Sequence, residues 1–210
     1  MKKLISYPCF CTSNIEVIKL LLIYAKKKKL KIIIEATSSQ VNQFGGYSNK
    51  TPKKFERLIK KTAKNNKYPI KNLTVGGDHL GIFPWINKNK KIAIKNSQEL
   101  VISSLKAGYK KIHIDTSYKL KNDTFFNRIL VLERSLKLAN LITKNNIKLI
   151  LGSDVPFPGS KSKKVEITNF KNLNFDIKFF YKNFSKKKFN QISAFVIEPG
   201  MYFNHFTLKK

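Results

Sequence analysis

Six short apolar runs, rich in β-branched residues and mostly closed by polar groups, recur along this chain. They begin near residues 4, 31, 73, 111, 147 and 192. Stretches with helical apolar spacing fill the gaps between them. Such a repeat joins parallel strands through right-handed crossovers, which leaves a (β/α) barrel or a doubly wound sheet open. Several runs end in charged residues, and this favours the TIM-type barrel, where chemistry is drawn from many strand ends. Six strands do not close an eight-stranded barrel. The expectation is an α/β fold, a single domain over residues 1–210 that forms an incomplete (β/α) barrel truncated after the sixth strand.

The expected elements can be taken in order. Leu4 to Tyr7 is read as the first strand, with a turn over Phe10 to Ser13. Ser13 and Glu16 have the spacing of a capping box ahead of a helix carrying Ile18, Leu21, Leu22 and Ala25. Lys31 to Glu35 suits a strand buried on both faces. Thr51-Pro52 marks a helix start, with Phe55, Leu58, Ile59 and Thr62 inside. Leu73 to Val75 begins a strand that runs into two glycines, Gly76 and Gly77. A helix from about Ile92 to Ala107 stops at Gly108. Lys111 to Asp115 is the fourth strand, and a helix from near Asp123 carries Ile129, Leu132, Leu136 and Ala139. Ile147 to Leu151, a helix with Phe175, Phe179 and Phe180, and Ile192 to Ile197 complete the series.

Composition narrows the function classes. A hydrophobic fraction of 42% supports a packed core. The longest apolar candidate for a membrane span, Ile15 to Ala25, is interrupted by Lys19, and no small-residue cleavage site follows it. Cys9 and Cys11 are expected to point to opposite faces of their segment, which argues against a disulfide framework or a thiolate metal knuckle. A cytoplasmic protein without a membrane partner is expected. The formal charge is +30, yet Arg57, Arg128 and Arg134 are the only arginines. Arginine supplies bidentate phosphate and base contacts. The lysines are spread over every segment, as a bias on solvated faces would spread them, and no specific nucleic-acid partner is expected.

Chemistry is concentrated at five strand ends. In Ile112-His113-Ile114-Asp115 the alternation puts His113 and Asp115 on one face and the isoleucines on the other. His113 is either a satisfied core histidine or a site residue. Asp78 and His79 are adjacent, so a regular strand would turn only one inward; the preceding glycines allow a turn that brings both to a ligand. Imidazole suits Zn²⁺, and a neighbouring carboxylate can orient the ring or move a proton. The pair could equally cap a turn. Asp154 follows the fifth strand and His205 the sixth, and with His79 they would give N,N,O ligation. Glu35 and Glu198 also stand at strand ends, as site acids or as buried acids paired with lysine. The candidate catalytic residues are Asp78, Asp115 and Glu35; the candidate metal ligands are His79, His113, Asp154 and His205. Neither a P-loop nor a dinucleotide fingerprint is present.

The segment Glu35 to Tyr47, the run Gly76-Gly77-Asp78-His79-Leu80-Gly81, Ile112 to Asp115, and Glu198-Pro199-Gly200 together resemble the signatures of the tagatose-1,6-bisphosphate aldolase Z-type subunits. These are similar in fold to the zinc-dependent class II aldolases, and family proteins are about twice as long. The resemblance implies a non-catalytic, chaperone-like subunit that supports a catalytic Y-type subunit in galactitol or N-acetylgalactosamine breakdown. A phosphorylated sugar is the implied ligand, and zinc the implied metal if one is bound. His79 matches the metal-ligand histidine of the related aldolases and Asp78 the adjacent catalytic-type aspartate. The chain departs from the pattern at Asp154, where the family usually has Glu, at Glu198, usually Gln, and at Asn204, where an Asp usually precedes His205. Cys11 is retained. Two alternatives stand beside the accessory role: a zinc-dependent sugar-bisphosphate aldolase or isomerase in its own right, and a truncated remnant without function.

Overall fold

The computed structural model describes residues 7–152 and 167–198, with the backbone of 202–203 and 208–209. Six parallel strands form one sheet: β1 (Cys9–Cys11), β2 (Ile32–Thr37), β3 (Leu73–Gly81), β4 (Lys111–Asp115), β5 (Lys148–Leu151) and β6 (Ile192–Phe195). Between them lie α1 (Ile15–Lys27), α2 (Pro52–Asn65), α3 (Lys90–Ala107), α4 (Arg128–Asn140), α5 (Phe170–Asn183) and the short α6 (Lys186–Phe189). A separate antiparallel pair, β7 (Tyr202–Phe203) and β8 (Leu208–Lys209), follows. Spatial order in the sheet is the chain order, β1 to β6 without reversal. A doubly wound sheet reverses its strand order; a barrel wall does not. The arrangement is that of a (β/α) barrel wall.

Alternation divides the wall. Ile32, Ile34, Ile112, Ile114, Leu149 and Leu151 turn outward and are buried beneath Ile18 and Leu22 of α1, Phe55 and Ile59 of α2, Leu100 of α3, and Leu138 of α4. Each such side chain contributes about 2 kcal/mol by leaving water. The opposite face of the same strands carries Glu35, Lys111, His113 and Asp115. Burying the apolar half fixes the register, and the register aims the polar half inward.

Some boundaries differ from expectation. Pairing begins at Cys9 rather than in the Leu4 to Tyr7 run, of which residues 4–6 lie outside the described residues. Pro8 has no N–H to give, but its carbonyl accepts from Ile33 N at 2.9 Å and starts the ladder. The cap of α1 is Asn14, whose Oδ1 accepts from Glu16 N and Val17 N at 2.9 and 3.3 Å, rather than Ser13. Asp123 does not start α4. It is buried against Arg134, and Asn127 caps the helix instead. Ile129 and Phe175, expected on inner faces, are about half exposed. Thr51 and Pro52 begin α2 as expected, and Gly108, at φ +90°, ends α3.

Candidate metal and acid-base site

The site is built where β3 and β4 run together toward their carboxyl ends. β4 is regular, so Lys111, His113 and Asp115 rise in a column on the inner face; His113 and Asp115 are both buried. β3 is not regular. Gly77 pairs with Ile112 and Leu80 with Ile114, so three steps on β3 match two on β4. This bulge holds one extra residue, and His79 absorbs it with φ +46°. Both side chains of the adjacent Asp78–His79 pair thereby reach the column. Past the bulge the strands close tightly: a Cβ on Gly81 would lie 1.7 Å from the Asp115 carbonyl oxygen.

The contacts are specific. His79 Nδ1 is 2.8 Å from Asp115 Oδ2, and the other oxygen of Asp115 accepts from Ser117 N at 2.9 Å and Ser117 Oγ at 2.6 Å. A ring that donates Nδ1–H to a buried carboxylate keeps its tautomer and leaves Nε2 for a ligand. That Nε2 lies 3.8 Å from Asp78 Oδ2. Asp78 Oδ1 is 3.0 Å from His113 Nδ1, and His113 Nε2 is 3.2 Å from the Gly152 carbonyl. The two imidazoles pack edge to face, their centroids 4.4 Å apart. One ligand atom from each of Asp78, His79 and His113 lies within 4.8 Å of the others. Two nitrogens and a carboxylate oxygen are a donor set that can coordinate a metal ion.

Electrostatics tie the same groups together. Burial alone would raise the Asp78 carboxyl, but the His113 hydrogen bond and the charges of His79, His113 and Lys111 hold it at about 2. Asp115 is also buried, yet its bonds to His79 and Ser117 keep it below the ordinary carboxylate range. Burial pulls the His79 imidazole down; the bond to Asp115 and the charges of Asp78, Asp115 and Glu35 outweigh it and raise it.

Glu35 sits below this cluster, not in it. Its two oxygens take the Lys111 ammonium at 2.6 and 2.8 Å, and Cys9 Sγ donates to it at 2.6 Å. Of its two sequence readings, the buried acid paired with lysine is the arrangement seen. Burial would lower the Lys111 ammonium, but Glu35 raises it overall, and burial with the Glu35 charge pushes the Cys9 thiol up to about 12. Cys11 is raised as well, by burial and then by Asp78. Cys9 and Cys11 thus share one face: residues two apart on a strand must, and the expectation that they diverge was at odds with the strand period. Asp154 and His205 lie outside the described residues; Glu198 lies within them, its backbone N–H donating to Thr168 Oγ1 at 2.6 Å and its carbonyl accepting from Thr168 N at 3.0 Å. Lys111 and Ser117 were not anticipated. Lys111 was legible, two places before His113 on the same alternation; nothing in the sequence marked Ser117.

Among the described residues no helix is long and apolar enough to cross a membrane. The family model for the "D-tagatose-1,6-bisphosphate aldolase subunit GatZ/KbaZ-like" proteins matches residues 2–210. The D-tagatose-1,6-bisphosphate aldolase subunit GatZ of Shigella flexneri serotype 5b (strain 8401) is 31% identical over 210 residues, covering 93% of this chain and 50% of that protein. The chain therefore spans about half the length of the curated relatives it matches. The crystal structure of a probable tagatose 6 phosphate kinase from Sinorhizobium meliloti 1021 superposes with a TM-score of 0.84 at 25% identity, over 98% of this chain and 52% of that one. A fructose-bisphosphate aldolase from Campylobacter jejuni superposes at 0.52 with 15% identity, over 97% of this chain and 55% of that one, a likeness of fold alone.

Proposed function

Because this chain belongs to the D-tagatose-1,6-bisphosphate aldolase subunit GatZ/KbaZ-like family, we propose that it is an accessory, non-catalytic subunit of such an aldolase. It acts by supporting a separate catalytic Y-type subunit in galactitol or N-acetylgalactosamine breakdown. The observation that carries this reading is the match to a subunit family along almost the whole chain, residues 2–210. The reaction served is aldol cleavage of the bisphosphorylated ketose to glycerone phosphate and glyceraldehyde 3-phosphate.

The test is to mix the purified chain with a catalytic tagatose-bisphosphate aldolase subunit and follow cleavage before and after mild heating. We expect no cleavage by the chain alone, and a higher, longer-lasting rate with both present. Equal rates with and without the chain would remove the accessory role.

A second reading, a metal-dependent aldolase or isomerase in its own right, is favoured by the Asp78, His79 and His113 donor set. These residues fit Zn²⁺: His79 Nε2 is left available, and the Asp78–His113 contact is one that a cation can replace. Bound there, zinc would polarise a ketose carbonyl. Asp78 is the side chain placed to move a proton, Asp115 positions His79, and Glu35 with Lys111 supplies a charged floor. On this reading Asp154 and His205 are further ligands. Stoichiometric zinc together with turnover in the absence of any partner would establish it over the accessory role.

A further inference from the structure

β1 and α1 stand at one end of the wall, and each leaves a side open. Among the described residues β1 pairs with β2 alone. The Pro8 carbonyl accepts from β2, and the Thr12 N–H donates to it, both at 2.9 Å. Successive residues of a parallel strand turn their backbone groups to opposite sides, so those of Cys9 and Cys11 aim out of the free edge. Cys9–Cys11 carries neither a charged side chain nor a bulge, the usual guards of an exposed edge.

The outer helix beside that edge is α1. Ile18, Leu22 and Ala25 bury its inner face. Val17, Leu20 and Tyr24 form a second stripe at helical spacing, and they are 42%, 65% and 55% exposed. A right-handed crossover carries the chain from α1 toward β2 and α2 on one flank. With α1 antiparallel to the strands and 3.6 residues per turn, Ile15 and Lys26 face that flank, and Val17, Leu20 and Tyr24 face the other. The open edge and the apolar stripe therefore lie on the same side. A single exposed apolar residue is ordinary, but a stripe continuous with a free sheet edge marks a contact surface.

The fold says what belongs there. Six strands in chain order leave two places in an eight-stranded barrel, and the place beside β1 is that of the last strand, its helix beside α1. This chain spans about half the length of its curated relatives. We propose that this surface receives the last strand and helix of a closed barrel, supplied by the half of a GatZ/KbaZ-like subunit that this chain does not span. The strand runs parallel to β1 and bonds to the backbone of Cys9 and Cys11. The helix packs on Val17, Leu20 and Tyr24. The contact forms when that half is a separate polypeptide, because both parts of the receiving surface are already in place on this chain.

The test is to co-express this chain with the half of the Shigella flexneri GatZ subunit that it does not match, the affinity tag on that half alone. We expect a soluble equimolar complex with slowed amide exchange at Cys9, Cys11 and α1. Leu20→Glu with Tyr24→Glu should weaken it at least about tenfold, since two apolar side chains no longer leave water on docking. Ile23→Glu, on the solvent side of the same helix and 44% exposed, should leave it unchanged. Val17→Lys serves as the second variant if circular dichroism shows that the double variant does not fold. Failure of the tagged half to retain this chain would overturn the proposal, as would undiminished capture of a folded stripe variant. A dimer of this chain alone that the stripe variants dissociate would assign the surface to a second copy and overturn it too.

Discussion

His79 holds a left-handed backbone, and a side chain there costs on the order of 1–2 kcal/mol. The conformation is kept by the bulge, and the imidazole gains a buried carboxylate partner in return. Replacing that partner tests the arrangement: Asp115→Asn should leave the fold intact but weaken Zn²⁺ or Co²⁺ binding about 10- to 100-fold, read by competition with a chromophoric chelator. A change under twofold would mean that Asp115 does not set the His79 ring. Protonation gives a second prediction. Asp78 and Asp115 titrate below the ordinary carboxylate value of 3.8, so their stabilisation is complete above about pH 4 and is lost as pH falls, for Asp78 toward about 2. His79 titrates above its ordinary 6.5, so its stabilisation is complete below that value and is lost as pH rises through the raised one. Urea midpoints should peak between about pH 4 and 6.5, and the alkaline loss should vanish in His79→Asn. At this scale the sequence showed the His113–Asp115 column plainly, because period-two alternation is local. It could not show that Asp78 and His79 both turn inward, since the bulge exists only as a mismatch between two strands.

Between elements, β2 and β4 are joined across β3 by the Glu35–Lys111 pair, which crosses beside Gly76. A Cβ on Gly76 would lie 3.0 Å from the Lys111 carbonyl and 3.4 Å from Glu35 Oε2. Both charges are largely buried, with side-chain exposures of 5% and 14%. Lys111→Met should cost about 3 kcal/mol or more, because the carboxylate is stranded, whereas Glu35→Leu with Lys111→Met should recover most of it. Denaturant unfolding of the three variants measures this, and equal losses in single and double variants would contradict it. At the top of the same strands, Gly81→Ala must force β3 from β4 and should cost about 3 kcal/mol or more. Five of the six sheet strands were readable from their apolar runs, and Lys111–Asp115 matches residue for residue, whereas the first strand falls at Cys9–Cys11 instead of in the Leu4 to Tyr7 run. Cap identity at Asn14 and the fate of Asp123 were not, because each depends on which of several suitable side chains finds a partner distant in sequence.

For the molecule as a whole, barrel-type order was inferred from polar strand ends and is shown by the unbroken sequence β1 to β6. That order has a consequence in time. Among the described residues, each strand of the sheet from β2 to β6 pairs with the one made just before it. His79, His113, Asp115, Ser117, Glu35 and Lys111 all belong to the stretch from β2 to the residues just past β4. Among the described residues, only the Gly152 carbonyl reaches them from later in the chain. In pulse-labelled hydrogen exchange during refolding, amides of β2 to β4 should gain protection no later than those of β6. On a ribosome, where synthesis runs from the amino end, this corner can close while the last strands are still untranslated.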